Sequence, residues 1–110
     1  MIYELRRYEI APGKAEDLHT RFRNHTLKLF EKHGLKPVFF WNAVIGEATN
    51  CLTYVLEFES LAAREKAWSS FLSDPEWKKV YSESNQNGQI VVKVENKIFS
   101  PTDYSPSNNK

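Results

Sequence analysis

The sequence predicts an α+β fold of the ferredoxin-like kind, βαββαβ, a four-stranded antiparallel sheet with two helices on one face. Three observations point there. Four separated segments have the composition of strands, and apolar residues recur at helical spacing in the segments between them. The length, 110 residues, suits one domain around one core.

Residues 2–10, IYELRRYEI, carry the β-branched and aromatic residues of a strand, which Ala11-Pro12-Gly13 then stops. In the helix that follows, Ala15, Leu18, Phe22, His25, Leu29 and His33 fall within one stripe at about 100° per residue, and Gly34 supplies the stop. Residues 36–46, KPVFFWNAVIG, are apolar on both alternating faces, as in a strand covered from both sides, and Gly46 to Asn50 make a turn. The next strand, CLTYVLEFE (51–59), puts Leu52, Tyr54, Leu56 and Phe58 on an apolar face and Cys51, Thr53, Val55 and Glu57 on a mixed one. Ser60 is an N-cap for the helix LAAREKAWSSFLS, whose stripe is Leu61, Glu65, Trp68, Phe71 and Leu72. Asp74-Pro75 restarts the chain as a cap with proline at the first helical position, opening a short amphipathic turn through Trp77, Val80 and Tyr81. The last strand, QIVVKVENKIFS, divides Ile90, Val92, Val94 and Ile98 from Lys93, Glu95 and Lys97. The domain thus occupies 1–100, and 101–110 form a polar tail.

With both helices on one side, the second face of the sheet is left uncovered. It would hold half of the aromatic pair Phe39/Phe40, with Trp41, Ile45 and Val55, more apolar surface than a hydrated sheet usually shows. The expectation is a homodimer in which two such faces curl together. A net charge of +1, from 15 basic and 14 acidic residues, supplies no field to attract nucleic acid or an anionic membrane, and no apolar run reaches the roughly 20 residues of a spanning helix. One cysteine and a start directly on strand-like sequence, without room for a signal peptide, favour a cytoplasmic protein.

YELRRY near the start, HTLKLFEKHG in the first helix, SDPEWKKVY after the second and ENKIFSPTDYSP at the end resemble the NIPSNAP domain over essentially the whole chain. The resemblance implies a dimeric α+β barrel and a single-domain, bacterial-type member. It transfers no catalytic residue. The wider barrel superfamily includes haem-degrading and quinone-forming monooxygenases, so haem enters by fold analogy alone.

His25 and His33 lie eight residues apart, about 12 Å along a helix, too far to share a metal ion. His33 sits in the last turn, where it suits the unpaired carbonyls. His25, on the inward stripe, reads either as a core histidine holding one hydrogen bond or as a pocket residue for proton transfer or a ligand. Glu4, Arg6 and Tyr8 share one side of the first strand, and Glu95 and Lys97 one side of the last, its neighbour in this topology. Facing the interior of the dimer together, they would form either a buried pairing that fixes strand register or the dimer interface, or a polar cavity walled by Tyr8 and Trp41. Trp77 reads as packing or as a lid over a cleft. Cys51 reads as a small apolar filler. There is no phosphate loop, CxxC, HExxH or GxSxG. The composite expectation is a homodimeric module binding a small apolar or aromatic ligand in a barrel or sheet–helix cavity. The alternatives are a haem-dependent or cofactor-free monooxygenase and a non-catalytic interaction module.

Overall fold

The computed structural model describes residues 1–46 and 50–106. Four strands, β1 (Ile2–Ile10), β2 (Lys36–Asn42), β3 (Cys51–Phe58) and β4 (Val91–Phe99), form one sheet in the order β2-β3-β1-β4. Every pair is antiparallel. The helical layer contains α1 (Ala15–Arg21), a π-helical turn (Phe22–Thr26), α2 (Leu27–Lys32), α3 (Leu61–Ser73) and α4 (Pro75–Ser84). This is the α+β, ferredoxin-like architecture expected.

Register decides which side chains meet. Glu4 lies between Leu56 and Ile98, Arg6 between Tyr54 and Asn96, and Tyr8 between Leu52 and Val94. Because side chains alternate along a strand, the even-numbered residues of β1 and β3 share the helix-facing side. The core follows: Leu52, Tyr54, Leu56 and Phe58 are buried against Leu18, Phe22, Leu29, Phe30 and Phe71. The opposite face carries Leu5, Arg7, Val55, Phe39, Trp41, Glu95 and Lys97.

The termini of the helices obey their local signals. Ser60 Oγ accepts from the Ala63 amide at 3.1 Å, and Asp74 Oδ1 from the Glu76 amide at 2.8 Å, with Pro75 opening α4. Gly34 ends the first helical run at φ +80°, a left-handed conformation that glycine takes without steric cost.

Four local expectations are corrected. The π turn inserts an extra residue into the first helical run, so beyond Phe22 the inward face moves on by one position: Thr26 turns inward and His25 turns out to solvent, while Arg21, three residues after the buried Leu18, is inward ahead of the turn. In α3, Leu61, Glu65 and Leu72 are exposed, and the covered side is Arg64, Ala67, Trp68 and Phe71, because Arg64 and Trp68 reach a buried carboxylate on β1. Strand β2 is an edge strand and is not covered on both sides. Phe40 packs on the core, Phe39 and Trp41 are exposed, and Val44 and Ile45 lie beyond the strand. His33 binds Ser70 and, at 2.7 Å, Asp74 across the layer; it does not cap the carbonyls of its own helix. The expected turn at Gly46 to Asn50 falls partly on residues 47–49, and the tail partly on 107–110, outside the described residues. No helix among the described residues is long and apolar enough to cross a membrane.

Candidate functional site

Glu4 has no exposed surface, and an ionised carboxylate there must find donors for its lone pairs. It has five. Its Oε1 accepts from Arg64 Nε at 2.8 Å and Trp68 Nε1 at 2.9 Å, and its Oε2 from Arg6 Nη1 at 3.0 Å, Arg64 Nη2 at 3.1 Å and Asn96 Nδ2 at 3.0 Å. Burial pushes the Glu4 carboxyl up, but the hydrogen bonds from Arg64, Asn96 and Trp68 and the charge of Arg6 outweigh it, lowering the pKa from 4.5 to about 2. The cluster therefore joins β1, β4 and α3 around one negative charge.

Arg6 extends the network. Its Nε donates to the Tyr54 hydroxyl at 3.1 Å, the Tyr8 and Tyr54 hydroxyls are 2.7 Å apart, and its guanidinium lies 4.4 Å from the Trp68 ring centre. Burial works against the Arg6 charge, yet the oxygens of Tyr8 and Tyr54 and the Glu4 carboxylate raise its pKa above the ordinary arginine value. Burial, followed by the neighbouring Tyr8, drives the Tyr54 phenol well above its ordinary value, so it stays neutral.

Beside this network a cavity of about 310 Å³ opens between the sheet and the helices. Arg6 and Tyr8 of β1 and Val92 and Val94 of β4 form its floor; Trp68 and Phe71 of α3 and Trp77 and Tyr81 of α4 form its roof; Arg21, Phe22 and Thr26 close one wall. The floor is open because β4 lies at the sheet edge beyond the helices, which leaves Val92 and Val94 about half exposed on the helix-facing side. Trp77 packs 4.7 Å from Phe71 and 5.8 Å from Tyr81, so it is both packing and cavity wall. The size and the aromatic lining with a few polar groups suit a small ligand. Among the described residues no histidine, cysteine, aspartate or glutamate lines the cavity, so none of the usual near-neutral acids and bases is placed there.

Of the expected site residues, Glu4, Arg6 and Tyr8 come together, but on the helix side of the sheet and not on the open face where the interior of a dimer is expected, because Arg64 and Trp68 of α3 pair with Glu4 there. Glu95 does not join them. It lies on the opposite face, where it pairs with Arg7 at 2.8 Å, and the same arginine donates to Cys51 Sγ at 3.0 Å. Trp41 is also on that face, stacked 4.9 Å from Phe39, so it is no wall of this cavity. His25 lines a second groove with Asp17, Glu83, Ser84 and Asn87, on the far side of Arg21, which borders both this groove and the cavity. Sequence reasoning does not single out Arg64, Asn96 or Arg21. A signal exists for Arg64, which stands four residues before Trp68 and hence on the same helix face.

The family model for NIPSNAP matches residues 3–106. No curated protein is significantly similar to the chain. Among solved structures, an uncharacterized NIPSNAP-like domain protein from Burkholderia xenovorans superposes with a TM-score of 0.83 at 24% identity, covering 96% of this chain and 89% of that one. A NIPSNAP family protein with unknown function from Agrobacterium tumefaciens gives 0.84 at 24%, covering 96% and 92%. An antibiotic biosynthesis monooxygenase is more distant, at 0.56 and 12%, covering 93% and 99%. At these identities the likeness is one of fold.

Proposed function

We propose that this chain, which belongs to the NIPSNAP family, is a binding module that takes a small apolar or aromatic molecule into the cavity between its sheet and helices. The observation that carries this reading is the cavity itself, roofed by Trp68, Phe71, Trp77 and Tyr81 and floored by half-exposed valines of β4. Its charged floor is held rigid by the five hydrogen bonds to Glu4, as a preorganised polar anchor requires.

The module works as a homodimer. Phe39, 56% exposed, and Trp41, 44% exposed, stack on the open face beside the half-covered Leu5 and Val55, an apolar patch that a second copy would cover. Arg7–Glu95 and Lys36–Glu57 around it provide the polar rim of such an interface.

An oxygenase reading rests on the fold of the antibiotic biosynthesis monooxygenase, and no described residue of the cavity supports it. The lining offers haem little: among its described residues there is no histidine, cysteine or methionine to hold the iron, the Tyr8 hydroxyl is engaged by Tyr54, and Tyr81 is the one tyrosine left. A purely interacting role for the DPEW turn is disfavoured because Trp77 turns toward the cavity.

Native mass spectrometry of protein purified gently from its own source tests the reading. A dimer with a reproducible extra mass below about 500 Da is expected, the size range such pockets enclose. A mass spectrum of bare protein, together with no uptake from a cell extract of small molecules, would overturn it.

A further inference from the structure

Resting on that cavity reading, we infer that the ligand is a carboxylic acid with an apolar or aromatic body, and that Arg21 receives its carboxylate. Arg21 is only 7% exposed. Among the described residues the hydrogen bonding of its guanidinium is limited to Nη1 donating to Ser84 Oγ at 3.2 Å, and its buried Nε has no partner. The guanidinium carbon lies 5.3 Å from the Trp77 ring centre and 5.7 Å from that of Tyr81. Ring faces attract a cation without neutralising it. Burial depresses the pKa of Arg21, with only tyrosine oxygens opposing it, which is the signature of a cation without a carboxylate beside it.

Two further observations agree. The charged residues lining the cavity are Arg6, Arg21 and Lys93, with no acid among the described lining. Glu4 answers Arg6, which leaves the cavity short of negative charge. Moreover, Arg21 and Phe22, three and four residues after the buried Leu18, lead into the π turn that brings Thr26 beside them in the cavity wall. Such turns accumulate at functional sites because a helix gains nothing in stability from them. With Nη1 held by Ser84, Nη2 is left to donate to a carboxylate oxygen, and the buried, unpartnered Nε on the same edge would add a second parallel hydrogen bond only if the side chain shifts to uncover it. The surrounding rings would cover the ligand's body.

The probes are two matched pairs, 2-naphthoate with 2-naphthamide and octanoate with octanamide, titrated calorimetrically into the wild-type protein, Arg21→Gln and Arg21→Lys. Each acid should bind the wild type about 10- to 100-fold more tightly than its amide, as for a desolvated charge-assisted pair. Arg21→Gln should abolish that preference, the acid losing at least about 10-fold more affinity than the amide, and Arg21→Lys should keep part of it, since it retains charge without the planar fork. Melting temperatures control for folding, and Arg21→Gln should melt no lower than the wild type because it removes an unneutralised buried charge. Acid and amide binding equally, with no change in Arg21→Gln, would overturn the carboxylate while sparing the cavity. Failure of all four probes at millimolar concentration would overturn both.

Discussion

Replacing Glu4 by glutamine keeps the shape of the side chain and removes its charge, and the geometry says what that must cost. Wherever the new amide nitrogen is placed, it faces donors: two if it replaces Oε1, from Arg64 and Trp68, and three if it replaces Oε2, from Arg6, Arg64 and Asn96. Two guanidinium groups also lose their shared counter-charge. Removing one partner of a buried ion pair costs about 3–5 kcal/mol. The depression of the Glu4 pKa from 4.5 to about 2 gives a similar figure, about 3 kcal/mol at 1.36 kcal/mol per unit. For a domain of this size that is a fall of about 10–20 °C in melting temperature at pH 7. The pH dependence has a definite sign. A folded-state pKa below the unfolded one contributes stability that is complete above pH 4.5 and lost as pH falls toward 2. Thermal melts by circular dichroism should therefore show the gap between wild type and Glu4→Gln narrowing across that window. A Glu4→Gln protein melting within about 2 °C of wild type at pH 7 would refute the argument that this carboxylate organises the sheet–helix junction.

Other substitutions separate the remaining parts of the structure. His25→Ala should change stability by no more than about 0.5 kcal/mol in urea unfolding, because the ring is exposed; a loss above about 1 kcal/mol would return it to the core. Trp77→Ala removes a half-buried ring from Phe71 and Tyr81 and should cost about 1–3 kcal/mol, with ligand affinity falling in the same calorimetric titration; unchanged affinity would take α4 out of the site. The hydrogen bond from His33, those from Lys32 and the Glu76 amide, and the Lys32 charge hold Asp74 below the usual carboxylate range despite opposing burial. The stability it contributes is present above the ordinary aspartate pKa and lost on acidification, so Asp74→Asn should lower the melting temperature at pH 7 and flatten its decline in acid. Trp41→Glu puts a charge on the open face and should convert a dimer to a monomer in sedimentation equilibrium; an unchanged assembly would place the interface elsewhere.

Period-two alternation alone places Glu4, Arg6 and Tyr8 on one side of β1, and the antiparallel order brings β4 beside them, so half of the site is legible in the sequence. Alternation does not say which side meets the helices, and for that reason it leaves Glu95 free to be placed on the wrong one. Arg64 is hidden because its partner lies 60 residues away, and the apolar Leu61 and Leu72 draw the predicted stripe toward themselves. His25 is misplaced by a different cause. A stripe drawn at constant pitch has no means of registering a π turn, and one inserted residue exchanges His25 for Thr26 at the core. Arg21 is hidden differently: constant pitch sets it three residues after the buried Leu18, and its charge excludes it from an apolar stripe. The caps at Ser60 and Asp74, in contrast, rest on contacts within three residues and are legible as they stand.

The three tryptophans allow the site to be located directly. Trp68 and Trp77 line the cavity, whereas Trp41 lies on the other face of the sheet. Indole N–H resonances of nitrogen-15-labelled protein, assigned by single Trp→Phe variants and followed during titration with 2-naphthoate, report on all three at once. Binding between sheet and helices will shift Trp68 and Trp77 and leave Trp41 in place. Movement of Trp41 alone, with Trp68 and Trp77 unchanged, would contradict a ligand site in this cavity.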